Sequence, residues 1–320
     1  MKNKLLAVMA IFGMVASASA VKINNNLSIN GFIDGSYKNT DTDDSDTQSL
    51  GLDEVELNFI VTAGGISGVV NIDSHEANST NDLNDGINIE QAHFTYNLND
   101  AVSITFGRYG SALGLEGEDP AGLYTFSRAY KDGSGFNFAN IDNFTNGAVD
   151  GLTIAYSGES YAIAASFEEA ANADLEANDL NLELSVSYTG IAGVNIGGGV
   201  FFDNAEGDET DSLNLHVSRQ FGKLLLAGEY SERSTSSATA ANNIDNDAYL
   251  LLADYDVNDK LGVAIRFSQH EQGTDADYEK FTIAPNYAIT DSLGAIIEYS
   301  DVEDDGEKSE EYAVELTFTF

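Results

Sequence analysis

Apolar and polar side chains alternate along most of this chain in segments of about ten residues, the spacing of strands that show one face to hydrocarbon and the other to water. At the end of the chain Tyr312, Val314, Leu316, Phe318 and Phe320 share one face, while Glu311, Glu315, Thr317 and Thr319 share the other. A period of two is that of a strand. The same alternation predicts strands over 27–37, over 55–61 and 66–72 across Ala63-Gly64-Gly65, and over 92–98 and 102–106 across Asn99-Asp100. It continues over 152–156 and 161–167 across Ser157-Gly158-Glu159, and over 180–188 and 194–202 with a turn at Gly190. Three further hairpins follow: 213–217 with 224–230 at Gly222, 249–255 with 261–267 at Asn258-Asp259, and 281–287 with 293–299 at Thr290-Asp291. With the terminal segment this makes sixteen strands, within about two.

A terminal strand with one apolar face has no partner further along the chain, so it must pair backward, which a closed barrel permits. Lipid offers no hydrogen bonds to a backbone, so closure is also the only way a sheet spans a membrane. An even number of antiparallel strands with tight turns at one end and polar connections at the other predicts an all-β, transmembrane, up-and-down barrel. The long polar connections are expected at 38–49, 76–86, 203–211 and 301–310. β-Sandwiches alternate too, but without that rhythm of short and long connections. About sixteen strands enclose more space than their own side chains fill. The alternation turns Glu54, Glu56, Asp73, His93, Glu183, His216, Arg266, Lys280 and Glu298 toward this lumen.

Composition changes the picture in three places. Lys2 and Lys4 precede an apolar run over 5–15 and the small residues Ala18-Ser19-Ala20, the pattern of a signal peptide cleaved after Ala20. The expected division is therefore a signal peptide at 1–20 and a barrel at 21–320. Cysteine and tryptophan are both absent, so no disulfides staple the chain, and interfacial girdles must be built from its 15 Tyr and 17 Phe. Acidic residues outnumber basic ones 53 to 14, for a formal charge of −39, which makes nucleic acid an unfit partner. With carboxylates in excess on the inward face, the field favours cations over anions.

One connection breaks the rhythm. From 108 to 147 it is much longer than the others, and a loop of that length usually has a function. Its apolar residues Leu113, Leu115, Leu123 and Phe126 are best accommodated against the inner wall. That placement brings Arg108, Glu116, Glu118, Asp119, Arg128 and Lys131 to a constriction; packing outside as a cap or a subunit contact is the alternative. The stretch from Phe106 to Tyr130, FGRYGSALGLEGEDPAGLYTFSRAY, resembles a segment of the OmpL-like family of β-barrel porins, in which a strand ending in Phe-Gly-Arg is followed by Gly and Glu and then by a short element like Ser127-Arg128-Ala129-Tyr130. The resemblance implies a Gram-negative outer-membrane porin with this loop at or in the channel, passing small hydrophilic solutes and ions passively. The terminal strand likewise resembles the assembly signal of outer-membrane barrels, carried here by Tyr312, Phe318 and Phe320. The partners implied are outer-membrane lipid and lipopolysaccharide, the barrel-assembly machinery and the permeating solutes; a homotrimer follows only by analogy of fold.

Other functions fit less well. His216-Val217-Ser218 places a His and a Ser on one face, as a barrel phospholipase requires, but that face is the lumen, away from lipid, so no catalytic residues are expected. Asp41, Asp43, Asp44 and Asp46 lack the glycine and final glutamate of a calcium loop, and His75, His93 and His270 are scattered, so neither metal nor cofactor is expected. Gly197-Gly198-Gly199 marks a place where another wall or the inner loop approaches closely, or a bend. A substrate-specific channel and a non-conducting adhesin or receptor remain as alternatives.

Overall fold

A computed structural model describes residues 20–75, 88–117, 119–131, 134–138, 148–169, 180–204, 209–236, 244–272 and 276–320. The predicted signal peptide lies almost wholly outside them. The strands are β1 (Val21–Lys22), β2 (Leu27–Thr42), β3 (Asp46–Ala63), β4 (Ile66–His75), β5 (Asn88–Asn97) and β6 (Val102–Tyr109). After the long connection come β7 (Val149–Ser157), β8 (Tyr161–Glu169), β9 (Leu180–Tyr188), β10 (Val194–Phe202), β11 (Glu209–Phe221) and β12 (Leu224–Ser236). The last five are β13 (Ile244–Asp256), β14 (Leu261–Gln272), β15 (Ala276–Ala288), β16 (Leu293–Asp304) and β17 (Glu307–Thr319).

Each of β2 to β17 pairs antiparallel with the next, and β17 returns to β2 from Ser309↔Thr42 to Thr319↔Phe32. The main chains of Phe320 and Gly31 then exchange two hydrogen bonds of 3.1 Å. The predicted sixteen-stranded closed barrel is thus the observed one, with β1 in addition. That strand takes up the same edge of β2 just beyond Phe320, through Val21↔Ile29 and Lys22↔Ser28. Two residues are too few to show a period, so the sequence pattern did not reveal it.

The two faces are sorted as the alternation requires. Ile33, Leu57, Phe94, Phe106, Ile154, Leu215, Leu251, Ile297 and Leu316 are exposed on the outside, while Glu56, Asn214, Arg266, Thr282 and Glu298 are buried inside. A barrel apolar outside and polar within is solvated by lipid on one side and water on the other. Tyr and Phe form two girdles. Tyr96, Tyr156, Tyr161, Tyr188, Tyr255 and Tyr287 lie beside the tight turns, and Tyr37, Phe167, Phe202, Tyr249 and Tyr312 stand toward the other end. Neighbouring rings support one another, as in Tyr156–Tyr161 at 5.6 Å and Tyr299–Tyr312 at 5.2 Å between centroids.

Two expected loops are strand instead. β2 and β3 extend through most of 38–49, leaving only 43–45 as their connection, and 301–310 is a hairpin turning on Asp305-Gly306. Both turn residues have positive φ, 52° and 82°, the tight two-residue turn that Asp-Gly favours. Polar residues here continue the sheet beyond the girdle, where cross-strand pairs such as Lys38–Asp53 (3.3 Å) and Lys308–Glu303 (3.2 Å) hold it. In the expected 203–211 connection, Glu209 and Asp211 already belong to β11; the connection at 76–86 lies outside the described residues. The wall is therefore tall at β2, β3 and β11 to β17 and short at β4 to β10.

Leu316 faces outward between Tyr312 and Phe318. Leu316→Arg is expected to destabilise the barrel by about 2–4 kcal/mol, the cost of a charge near the bilayer midplane, measured by urea unfolding in lipid vesicles.

Candidate functional site

The long connection begins at Gly110, after β6, and its described part runs along the inner wall. Each anchoring contact joins a loop group to an inward-facing strand residue. Glu183 on β9 accepts from the Ser111 hydroxyl at 2.5 Å and the Ala112 N–H at 3.0 Å. Asn214 on β11 accepts from the Gly114 N–H at 3.1 Å, and Glu229 on β12 accepts from the Leu115 N–H and the Tyr130 hydroxyl. Glu298 on β16 accepts from the N–H and hydroxyl of Ser127, while Ser268 on β14 donates to the Ala129 carbonyl. Lys131 at the end of this stretch reaches Asp304 at 2.6 Å.

Arg266 on β14 is the centre of this docking. Its side chain is fully buried and donates to Glu116 Oε1 (2.6 Å), Thr125 Oγ1 (2.7 Å) and the carbonyls of Ser127 and Arg128 (both 2.7 Å). Glu116 in turn accepts from the Ala129 N–H at 2.9 Å, so one carboxylate binds both the wall and the returning arm of the loop. Both Nη atoms are thus bonded, as a buried guanidinium requires, while Nε is left without a hydrogen-bond partner.

Apolar contact supplements these bonds. Ala129, Tyr130 and Phe136 pack on Ala248, Leu250 and Leu252 of β13, Ala264 of β14 and Ala284 of β15. Leu113 is buried and lies over Gly199, where an added Cβ would fall 2.9 Å from the leucine side chain and closer still to the Leu184 carbonyl. The glycine run thus admits the inner loop, one of the two readings the sequence left open. His270 on β14 is buried among Tyr130, Phe136 and Tyr278, and its Nε2 accepts from the Lys131 N–H at 3.3 Å.

The candidate constriction residues separate into groups. Glu116, Asp119, Arg128 and Lys131 lie on the inner loop, whereas Glu118 lies outside the described residues. Arg108 does not join them. It belongs to β6 and shares the outward parity of Phe106, bonding the Glu90 carbonyl (3.2 Å) and approaching Asp150 (3.7 Å). Asp119 is buried in hydrogen-bond contact with Glu56 on β3; burial, with the Asp73 charge, raises its pKa against the opposing pull of that bond and of Arg128. Tyr130 is raised well above the ordinary tyrosine range, chiefly by burial and then by Glu229.

All nine candidate lumen residues face inward, in different roles. Glu183, Arg266 and Glu298 dock the loop; Glu54, Lys280 and Glu298 line the remaining space. His93 packs edge-on against Tyr109 at 6.4 Å. His216 Nδ1 lies 3.2 Å from Asn214 Oδ1, and the Ser218 hydroxyl accepts from Asn195 at 3.4 Å, so each has a pore-wall partner.

Beside the loop, a cavity of about 840 Å³ separates Pro120, Leu123, Phe126, Arg128 and Lys131 from the wall of β2, β3 and β15 to β17. Its charged lining comprises the carboxylates Asp34, Asp53, Glu54, Glu298, Asp304, Glu311 and Glu315, against Lys38, Arg128, Lys131 and Lys280. Lys38, Lys131 and Lys280 are each held by a carboxylate, Asp53 (3.3 Å), Asp304 (2.6 Å) and Glu311 (2.7 Å) respectively. Asp34 and Lys38 are not among the sequence-predicted site residues, although both have the parity opposite to Ile33 and Tyr37: Asp34 lies within the expected strand 27–37, and Lys38 falls just past its end in the expected 38–49 connection. The docking face of β13 also left a mark, since Tyr249-Leu250-Leu251-Leu252-Ala253 is apolar on both parities.

Arg266→Leu is expected to free the loop, with amide exchange rising across 114–130 while strand content persists; losing one partner of a buried charge pair costs about 3–5 kcal/mol. Asp119 gives a pH dependence. Because its folded pKa is raised, docking is firmest when it is protonated and weakens as pH rises from the ordinary carboxylate range through the raised value. Exchange protection of 119–131, corrected for intrinsic rates, should fall over that rise, and Asp119→Asn should flatten the dependence.

The sequence profile of the Gram-negative porin family matches residues 5–307. Among solved structures, OmpF of Salmonella typhi in complex with daunomycin is 14% identical, with a TM-score of 0.71 over 94% of this chain and 100% of that one. OmpT of Vibrio cholerae in its trimer form is 13% identical, at 0.65 over 92% and 100%. The outer membrane channel DcaP of Acinetobacter baumannii is 12% identical, at 0.66 over 94% and 100%. At such identities the likeness is one of fold. No curated protein sequence matches the chain. The profile spans nearly all of the barrel, and the chain belongs to the Gram-negative porin family as an outer-membrane channel protein.

Proposed function

We propose that this porin forms a water-filled, cation-preferring channel for passive diffusion of small hydrophilic solutes and ions, narrowed by the inner loop. The observation that carries the reading is the make-up of the cavity lining: carboxyl groups outnumber cationic groups seven to four, three of the four cations are paired with carboxylates, and Asp34, Glu54 and Glu315 present further carboxyl groups on the wall opposite the loop. Low-dielectric walls focus such a field and raise the local concentration of cations. Glu116, Asp119, Arg128 and Lys131 shape the narrow segment, Glu116 and Asp119 mainly by fixing the loop. The reading assigns no catalytic group and needs no cofactor.

Export and assembly complete the proposal. Cleavage after Ala20 leaves Val21 to open β1, and Tyr312, Phe318 and Phe320 serve as the signal read by the barrel-assembly machinery. The outer faces of the strands contact outer-membrane lipid and lipopolysaccharide. A homotrimer is carried over from the trimer form of the structurally similar OmpT.

The refolded chain in a planar bilayer under a potassium chloride gradient should give stepwise currents with a reversal potential on the cation side. Glu54→Gln combined with Glu315→Gln should move the permeability ratio toward one. Anion preference in the unaltered chain, or silence from a folded barrel, would reject the channel as proposed.

A further inference from the structure

We infer that the cavity beside the inner loop recognises organic ammonium ions carrying an apolar stem, an inference that rests on the cation-preferring channel proposed above and narrows it to a substrate class. The two sides of the cavity differ in chemistry. On the loop side stand Leu123 and Phe126; on the wall side stand Asp34, Glu54 and Glu315. The face of the Phe126 ring receives a cation, since Lys38 Nζ lies 5.0 Å from its centroid, within the roughly 6 Å reach of a cation–π contact. Independently, Asp34 is only 2% exposed and, although its side chain is in hydrogen-bond contact with Glu315, its Oδ1 has no hydrogen-bond partner, an acceptor that an N–H donor entering beside it from the cavity would satisfy.

This combination selects among cations. Among the described residues no three carboxylate or imidazole groups gather closely enough to hold a metal ion, and Asp34 and Glu315 meet only as a pair. An inorganic cation would use them and gain nothing from Leu123 and Phe126. A neutral apolar molecule would use only the loop side and leave Asp34 unanswered. An ammonium on an alkyl or aryl stem uses both, its N–H groups donating to Asp34 while the stem lies on Leu123 and Phe126. Asp34 and Lys38 are four residues apart on β2, about 13 Å at the rise of a strand, which is room for such a stem. Lys38 itself, held to Asp53 at 3.3 Å, presents a butyl stem and an ammonium to this aromatic face and competes for it.

The test is calorimetric titration of the folded, detergent-solubilised full barrel with 4-phenylbutylammonium, alongside potassium and uncharged 4-phenylbutanol. The ammonium should bind at least tenfold more tightly than the alcohol, the discrimination expected of one charge-assisted hydrogen bond. Asp34→Asn and Phe126→Ala should each weaken it about tenfold. Lys38→Met should tighten it, a gain that damage to the fold would not produce. A barrel that conducts with cation preference but binds the ammonium no better than the alcohol, or whose variants leave the affinity unchanged, overturns this inference and leaves the channel reading intact. Because titration does not require current, a silent or anion-preferring barrel would reject the channel reading while the binding result still decided this one.

Discussion

A sheet in hydrocarbon cannot borrow hydrogen bonds from its solvent, so the first strand and the last must meet. Here the meeting is between β2 and β17, and it is completed by small contributions at its lower end: the reciprocal bonds of Phe320 with Gly31, then the two residues of β1 on the edge that β17 leaves uncovered. Gly31 suits this place because a Cβ there would run into the Glu56 carbonyl of β3. Once the ring is closed, every second side chain is committed to the inside, and the polar character of the lumen follows from the apolar character of the outside.

Commitment to a polar interior creates a second problem, which the long loop resolves. Inward carboxylates, amides and an arginine on β9 to β16 can be solvated by water or by protein, and the loop supplies protein: its own N–H groups and carbonyls. Glu183, Asn214, Glu229, Arg266 and Glu298 therefore act as a line of docking points, each matched to a group that an irregular backbone would otherwise leave unbonded. The apolar patch on β13 adds contact area where Tyr130 and Phe136 arrive. Arg266 couples these effects, because its bonds reach both the descending and the returning arms of the loop.

How much of this was legible in sequence depended on period and locality. Alternation over ten residues identified the strands, their number and the inward parity of Glu54, Glu183, Arg266 and Glu298, since each strand carries its own signal. Strand ends were less visible: Lys38 and Asp301 look like loop residues because polar side chains continue the sheet outside the girdle. The docking of the loop is a long-range match between residues 71 to 173 positions apart, such as Glu116 and Arg266, and no local pattern encodes it. Length alone had placed Arg108 in the loop, whereas pairing with Ala92 and Asp150 keeps it in β6 on the outer face.

The loop leans on β9 to β16, so the space it leaves is off-centre, bounded by the strands nearest the two ends of the chain: β2 and β3 on one side of the seam, β15 to β17 on the other. Most of the docking surface belongs to the middle of the sequence and needs no seam. The cavity, by contrast, has no complete boundary until the final strand is in place. A half-assembled chain can hold its inner loop yet has no conduit, which separates folding of the scaffold from the appearance of a hole and delays permeability to the last step of closure.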